Sequence, residues 1–131
     1  MQVDFYILPT GDQQQWELFI GRLVRKVYRL QQSLAIHVPD LATAQHWQAL
    51  LWSFETDSFL PHGIDQPQLP INLTMQPADA SVCVNLCSTI ADGFVGRCLE
   101  VIDGSADALA QGRQKFKCYQ DAGHVLKTHK L

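Results

Sequence analysis

Residues 3–41 read VDFYILPTGDQQQWELFIGRLVRKVYRLQQSLAIHVPDL, and the spacing of apolar side chains along them decides the fold. Val3 to Leu8 is a run rich in β-branched and aromatic residues closed by Pro9-Thr10-Gly11, which predicts a buried strand ending in a turn. From Asp12 to about Gln32 the period changes. Trp16, Phe19, Ile20, Leu23, Val27 and Leu30 recur at spacings of three and four and share one helical stripe, while Arg22, Arg25, Lys26 and Arg29 take the other side. Ser33 to Val38 predicts a second strand. Pro39-Asp40 ends it, and Asp40 is a good N-cap for a helix over Leu41 to Trp52. A strand, a helix, a strand and a helix in that order argue for parallel pairing through crossovers.

Farther along, Phe54 to Pro70 carries Pro61, Gly63, Pro67 and Pro70 and reads as an irregular surface loop, although Phe54, Phe59, Leu60 and Ile64 make it unusually apolar. Ile71 to Met75 and Ser81 to Cys87 are strand candidates, and Phe94 to Ile102 is either a last strand or a short helix. After Asp103-Gly104-Ser105, a helix is expected from Ala106 to Lys127. Leu109, Gly112, Phe116, Tyr119 and Gly123 lie on its stripe, and Arg113, Lys117 and Gln120 lie together on a neighbouring face. The architecture that fits is α/β, a three-layer sandwich around a mostly parallel sheet with Rossmann-like topology.

With 131 residues, 47% of them apolar, the chain suits one core and a single domain, 1–131. No apolar stretch approaches the roughly 20 residues of a spanning helix, and the start lacks a basic region ahead of an apolar one, so a soluble, cytoplasmic protein without a signal peptide is expected. Cys83, Cys87, Cys98 and Cys118 read as reduced cysteines. The net charge of −3 argues against a protein whose main work is gripping phosphate backbone. The basic residues nevertheless gather into two blocks, Arg22, Arg25, Lys26, Arg29 and then Arg113, Lys115, Lys117, Lys127, Lys130, with Arg97 outside them. Such blocks on an acidic protein suggest local capture of an anionic partner, a nucleic acid or an acidic peptide.

Conventional site chemistry is sparse. Leu8-Pro9-Thr10-Gly11-Asp12 holds one glycine and no dinucleotide or P-loop pattern, so there is no nucleotide-binding loop. Cys83-x-x-x-Cys87 suits core packing better than a zinc site, and His37, His46, His62, His124 and His129 fall into no ligand spacing, so neither a metal nor another cofactor is expected. Cys83 or Cys98 could still meet a histidine in space. The alternative function is therefore a small cytosolic α/β enzyme using a cysteine or a nucleotide, with a deep pocket at the carboxyl ends of the strands. Direct single-stranded DNA binding is disfavoured because the first helix turns its aromatics inward. Trp52-Ser53-Phe54 and Ser58-Phe59-Leu60-Pro61-His62-Gly63 either expose an apolar patch for a partner or fold back over the sheet edge.

Leu51-Trp52 followed by Ser58-Phe59-Leu60-Pro61-His62 resembles the central signature of the chi subunit family of bacterial DNA polymerase III. Arg113-Gln114-Lys115-Phe116-Lys117-Cys118-Tyr119-Gln120-Asp121-Ala122-Gly123 resembles the last helix of that family, and the likeness runs the length of the chain. It implies a non-catalytic accessory subunit of the polymerase holoenzyme with a nucleotide-binding-like fold that binds no nucleotide. Two protein partners are implied: the psi subunit, which tethers chi to the clamp loader, and the acidic C-terminal tail of single-stranded DNA-binding protein, which ends in Pro-Phe. No sequence-specific nucleic acid and no membrane are implied as partners. By the resemblance, Arg113, Phe116 and Lys117 meet the tail and Trp52, Phe59 and Pro61 meet psi. Lys115, Lys127 and Lys130 are expected to speed encounter. The family commonly has basic residues where this chain has Leu109 and Gln120, which implies a less charged tail site.

Overall fold

The computed structural model describes residues 1–54 and 60–131. β1 (Gln2–Ile7) leads through α1 (Gln13–Arg29) to β2 (Leu34–His37), and α2 (Leu41–Ser53) follows. β3 (His62–Ile64), β4 (Ile71–Thr74), β5 (Asp79–Asn85) and β6 (Val95–Ile102) precede α3 (Ala106–Asp121) and β7 (Val125–Lys130). Each helix starts on a side-chain cap that satisfies an orphan amide: Asp12 accepts from Gln14 N at 2.9 Å, Asp40 from Thr43 N at 2.8 Å and Ser105 from Ala108 N at 3.2 Å.

The strands form one seven-stranded sheet in the order β3-β4-β2-β5-β6-β1-β7. Every neighbouring pair is parallel, where a mostly parallel sheet was expected. An all-parallel sheet needs cover on both faces, which the near-continuous apolar strands reflect. On one face Ile20, Val24 and Val27 of α1 and Ala44, Trp47 and Leu51 of α2 pack over Ile36, Leu73 and Val84. On the other, α3 lays Phe116 and Tyr119 over Val3, Phe5 and Cys98, beside Ala91 and Phe94 from the segment after β5.

Several sequence expectations are corrected. The segment from Phe54 to Pro70 is not wholly irregular, because His62–Ile64 adds the parallel edge strand β3. Leu60 is buried, and the ring of Phe54 lies only 2.5 Å from where a Cβ on Gly21 would stand, so Phe54 fills the space that glycine leaves beside α1. Of the two alternatives left open for Phe94 to Ile102, the strand is the one formed, as Val95–Ile102. The last helix stops at Asp121, where Gly123 at φ +86° turns the chain, and the residues expected to continue it form β7 instead. Leu30 caps α1 at 61% exposure and leaves the stripe.

Candidate protein-binding sites

α3 and the edge strand β7 enclose a groove of about 310 Å³. Phe5, Ile7, Ile102, Leu109 and Phe116 supply its apolar surface, and Arg113, Thr128 and Lys130 supply its polar side chains. Phe5 and Phe116 stand 5.5 Å apart between ring centroids, so the floor is held by aromatic packing. Gly112 keeps it open, since a Cβ there would come within 2.4 Å of Ile102 Cδ1. Arg113 and Lys117 are exposed one turn apart on α3, and among the described residues no carboxylate lines the groove. It can therefore seat an apolar group beside an anion that the Arg113 guanidinium receives through paired N–H donors.

A second cleft, of about 250 Å³, lies at the carboxyl ends of β5 and β6, the place where the enzyme reading requires a pocket. Two of its polar lining residues, Lys115 and Asn85, are already engaged by the buried Glu100 carboxylate. Lys115 Nζ donates to Glu100 Oε1 at 2.9 Å and to the Cys87 carbonyl at 2.6 Å. Tyr119 donates to Glu100 Oε2 at 2.6 Å, Asn85 Nδ2 donates to the same oxygen at 2.7 Å, and the Ala91 amide donates to the Tyr119 hydroxyl. Burial, with the Glu100 charge beside it, pushes the Tyr119 phenol well above its ordinary value. Lys115 is thus a core residue and not one of the solvent-facing charges expected from sequence. Its place three residues after Gly112 and four before Tyr119 was the available signal.

The surroundings of the buried Cys83 and Cys87 do not favour a thiolate. Cys83 and Cys98 are register partners across β5 and β6, and the neighbouring Cys98 thiol together with burial drives the Cys83 thiol far upward. Cys87 Sγ lies 3.5 Å from His37 Nδ1, but burial raises its thiol too, which opposes the thiolate that nucleophilic attack needs. The turn after β1 offers no phosphate cradle either. Gly104 N donates to the Thr10 carbonyl at 2.8 Å, and a Cβ on Gly104 would touch Leu8 O at 2.9 Å, so the turn after β6 fills that space.

At the end of α2, Trp52 is 58% exposed and sets its ring edge-on to His62 at 5.0 Å between centroids. His62 ties this corner together, with Nδ1 2.6 Å from the Leu60 carbonyl and Nε2 3.2 Å from the Gln48 carbonyl. Pro61 is half-buried beside it, and Phe59 lies outside the described residues.

Comparison with known proteins bears on the whole chain: the family model for the DNA polymerase III chi subunit, HolC, matches residues 1–127. The chain belongs to the DNA polymerase III chi family. The DNA polymerase III subunit chi of Pseudomonas aeruginosa is 28% identical over 138 residues, covering 99% of this chain and 96% of that protein. The crystal structure of T4 UvsW shares the fold at a TM-score of 0.60 and 12% identity, over 98% of this chain and 41% of that one. The chain therefore spans well under half of that structure, which speaks to the fold alone. As a chi-family chain it is an accessory subunit of the DNA polymerase III holoenzyme and takes part in DNA replication. No helix among the described residues is long and apolar enough to cross a membrane.

Of the residues that the chi resemblance assigned to one site, the structure brings Arg113 and Phe116 into the same groove and sets Lys117 one turn along the same helix. Sequence reasoning missed Phe5, Ile7, Thr128 and Lys130 as its other walls, because the last helix was expected to run on to Lys127 with no strand after it, and Phe5 and Ile7 were read as part of a buried strand. Leu109, where the resemblance implied a basic residue, instead lends the groove apolar surface, and Gln120 is exposed.

Proposed function

We propose that this chi-family subunit is a non-catalytic, cytoplasmic adaptor without a cofactor. It joins the psi subunit of the clamp loader to the acidic C-terminal tail of single-stranded DNA-binding protein. The observation that carries the reading is the groove between α3 and β7, whose apolar floor adjoins Arg113 and Lys130 with no carboxylate among its described lining residues. A peptide ending in Pro-Phe with a free carboxylate matches it chemically: the ring enters beside Phe5 and Phe116, the carboxylate meets Arg113, and Lys117 faces the upstream aspartates. Micromolar dissociation constants, about 8 kcal/mol, suit a contact of this size, and several tails on one partner would strengthen attachment by effective concentration.

Trp52, Phe59 and Pro61 are proposed as the psi-facing surface. Support for this comes from Trp52, a large aromatic left 58% exposed at a helix end. The Arg22, Arg25, Lys26, Arg29 face of α1 is assigned no partner.

The test is a titration with the tail peptide and with the same peptide lacking its terminal Phe, at low and moderate salt. Micromolar binding that requires the Phe and weakens with salt is expected. Absence of binding at about 100 micromolar peptide, well above the affinity such a contact supports, would remove the tail from the function.

A further inference from the structure

β7 is the last strand of the sheet and pairs only with β1 among the described strands. Val125 N donates to the Met1 carbonyl at 3.1 Å and Leu131 N to the Ile7 carbonyl at 3.0 Å. In a parallel ladder alternate residues turn both main-chain groups toward the neighbour. Val125, Lys127, His129 and Leu131 therefore face β1, and Leu126, Thr128 and Lys130 direct their N–H and C=O groups outward. Those same residues carry their side chains on the α3 face, where Thr128 and Lys130 line the groove. A ligand seated in the groove consequently lies alongside a row of strand hydrogen-bonding groups that no described strand fills.

The charges on this edge select the occupant. Lys127 and Lys130 are exposed on β7, and Arg113 and Lys117 on α3. Lysines on an edge strand ordinarily repel further strands. Two copies of β7 laid edge to edge would bring two lysine-bearing edges together, whereas an acidic strand meets complementary charge. α3 follows β6 and runs back across the sheet, so Arg113 lies near the Ile7 and Lys130 end and Lys117 farther toward the Val125 end. A carboxylate held by Arg113 leaves the residues upstream of it running beside β7 in the same direction as β7.

We infer that the acidic segment just upstream of the bound C-terminus adds to the sheet as an eighth parallel strand, hydrogen-bonded to Leu126, Thr128 and Lys130. This rests on the tail-binding function proposed above and specifies the conformation in which the peptide is recognised. Main-chain pairing supplies affinity that does not depend on which acidic side chains occur at each position.

Amide hydrogen exchange on the full chain, read residue by residue with and without the free-carboxylate Pro-Phe peptide, tests it. At a peptide concentration ten times its dissociation constant, exchange at Leu126, Thr128 and Lys130 should slow by about tenfold, as site occupancy dictates. Lys127 and His129 should not change. A parallel set of peptides N-methylated at single upstream positions should lose affinity at alternate positions only. Peptide binding that depends on Arg113 but leaves the Leu126, Thr128 and Lys130 amides unchanged would overturn the strand pairing while sparing the tail site. No peptide binding would overturn both. Protection of these amides that rises with protein concentration in the absence of peptide would give the edge to a second copy of this chain and overturn the inference.

Discussion

Replacing Lys115 with methionine should destabilise the protein by about 3 kcal/mol, although the side chain is a lysine in a sequence block that looks solvent-facing. Lys115 and Glu100 keep 10% and 2% of their side-chain surface exposed, and their ion pair closes at 2.9 Å. Removing one member of such a pair strands the other charge in the interior, which typically costs 3–5 kcal/mol. Glu100 would keep its bonds from Tyr119 and Asn85, so the lower end of that range applies. With an unfolding entropy of roughly 0.3 kcal/mol per kelvin for a chain of this size, Tm should fall by about 10 °C. Urea unfolding followed by tryptophan fluorescence, together with a thermal melt, measures both. Adding Glu100→Gln removes the stranded charge, so the double variant should lose clearly less than the sum of the single losses. A loss under about 1 kcal/mol for Lys115→Met, the scale of an exposed lysine, or strictly additive single losses, would refute the buried pairing.

Gly112→Ala places a Cβ 2.4 Å from the flexible end of Ile102, so the ring-sized space in the groove should shrink. Tail-peptide affinity should fall at least severalfold in calorimetry, with a modest stability loss of about 1 kcal/mol. Gly96→Ala should be worse for folding and indifferent to the groove. Its φ is +104° at the irregular β5–β6 register, and the new Cβ would stand 2.6 Å from the Ser81 carbonyl, so a loss of about 2–3 kcal/mol in urea unfolding is expected. Burial would raise the carboxyl of Asp4, but hydrogen bonds from Arg97 and His129 and the Arg97 charge outweigh it and hold it below the ordinary aspartate value. Its contribution to stability is then fully present above the unfolded value, near pH 4, and is lost as pH falls through the lower folded value. Asp4→Asn should lower stability at neutral pH and flatten the acid limb of a stability–pH curve. Trp52→Ala should leave Tm within about 2 °C and abolish psi capture, since an exposed side chain carries little of the fold.

The first half of the fold was legible because apolar periodicity marks α1 and the Asp40 cap marks the start of α2, and both helices turn apolar residues to the sheet. The last residues were misread for a physical reason. Val125–Lys130 is an edge strand with an exposed outer side, so Lys127, Thr128 and Lys130 need no apolar pattern, and the turn at Gly123 was the one mark of the break. His62–Ile64 is too short to show alternation. The apolar content around Phe54 and Leu60 did carry information, since both residues pack inward while Trp52 stays out. In the candidate groove, Arg113 and Phe116 came from a recognisable helix motif. The β7 wall could not, because a groove between two elements is visible only once both are placed.

The most direct test of the account pairs Arg113 with the carboxylate it is held to receive. Affinities should be measured by calorimetry for the native chain and Arg113→Ala, each against the free-acid tail peptide and its C-terminal amide. The free-acid peptide should lose about tenfold or more on Arg113→Ala, the scale of a charge-assisted hydrogen bond, while the amide binds both proteins with nearly equal weakness. Equal losses for the two peptides would mean that Arg113 does not hold the terminal carboxylate, and the adaptor site proposed between α3 and β7 would be wrong.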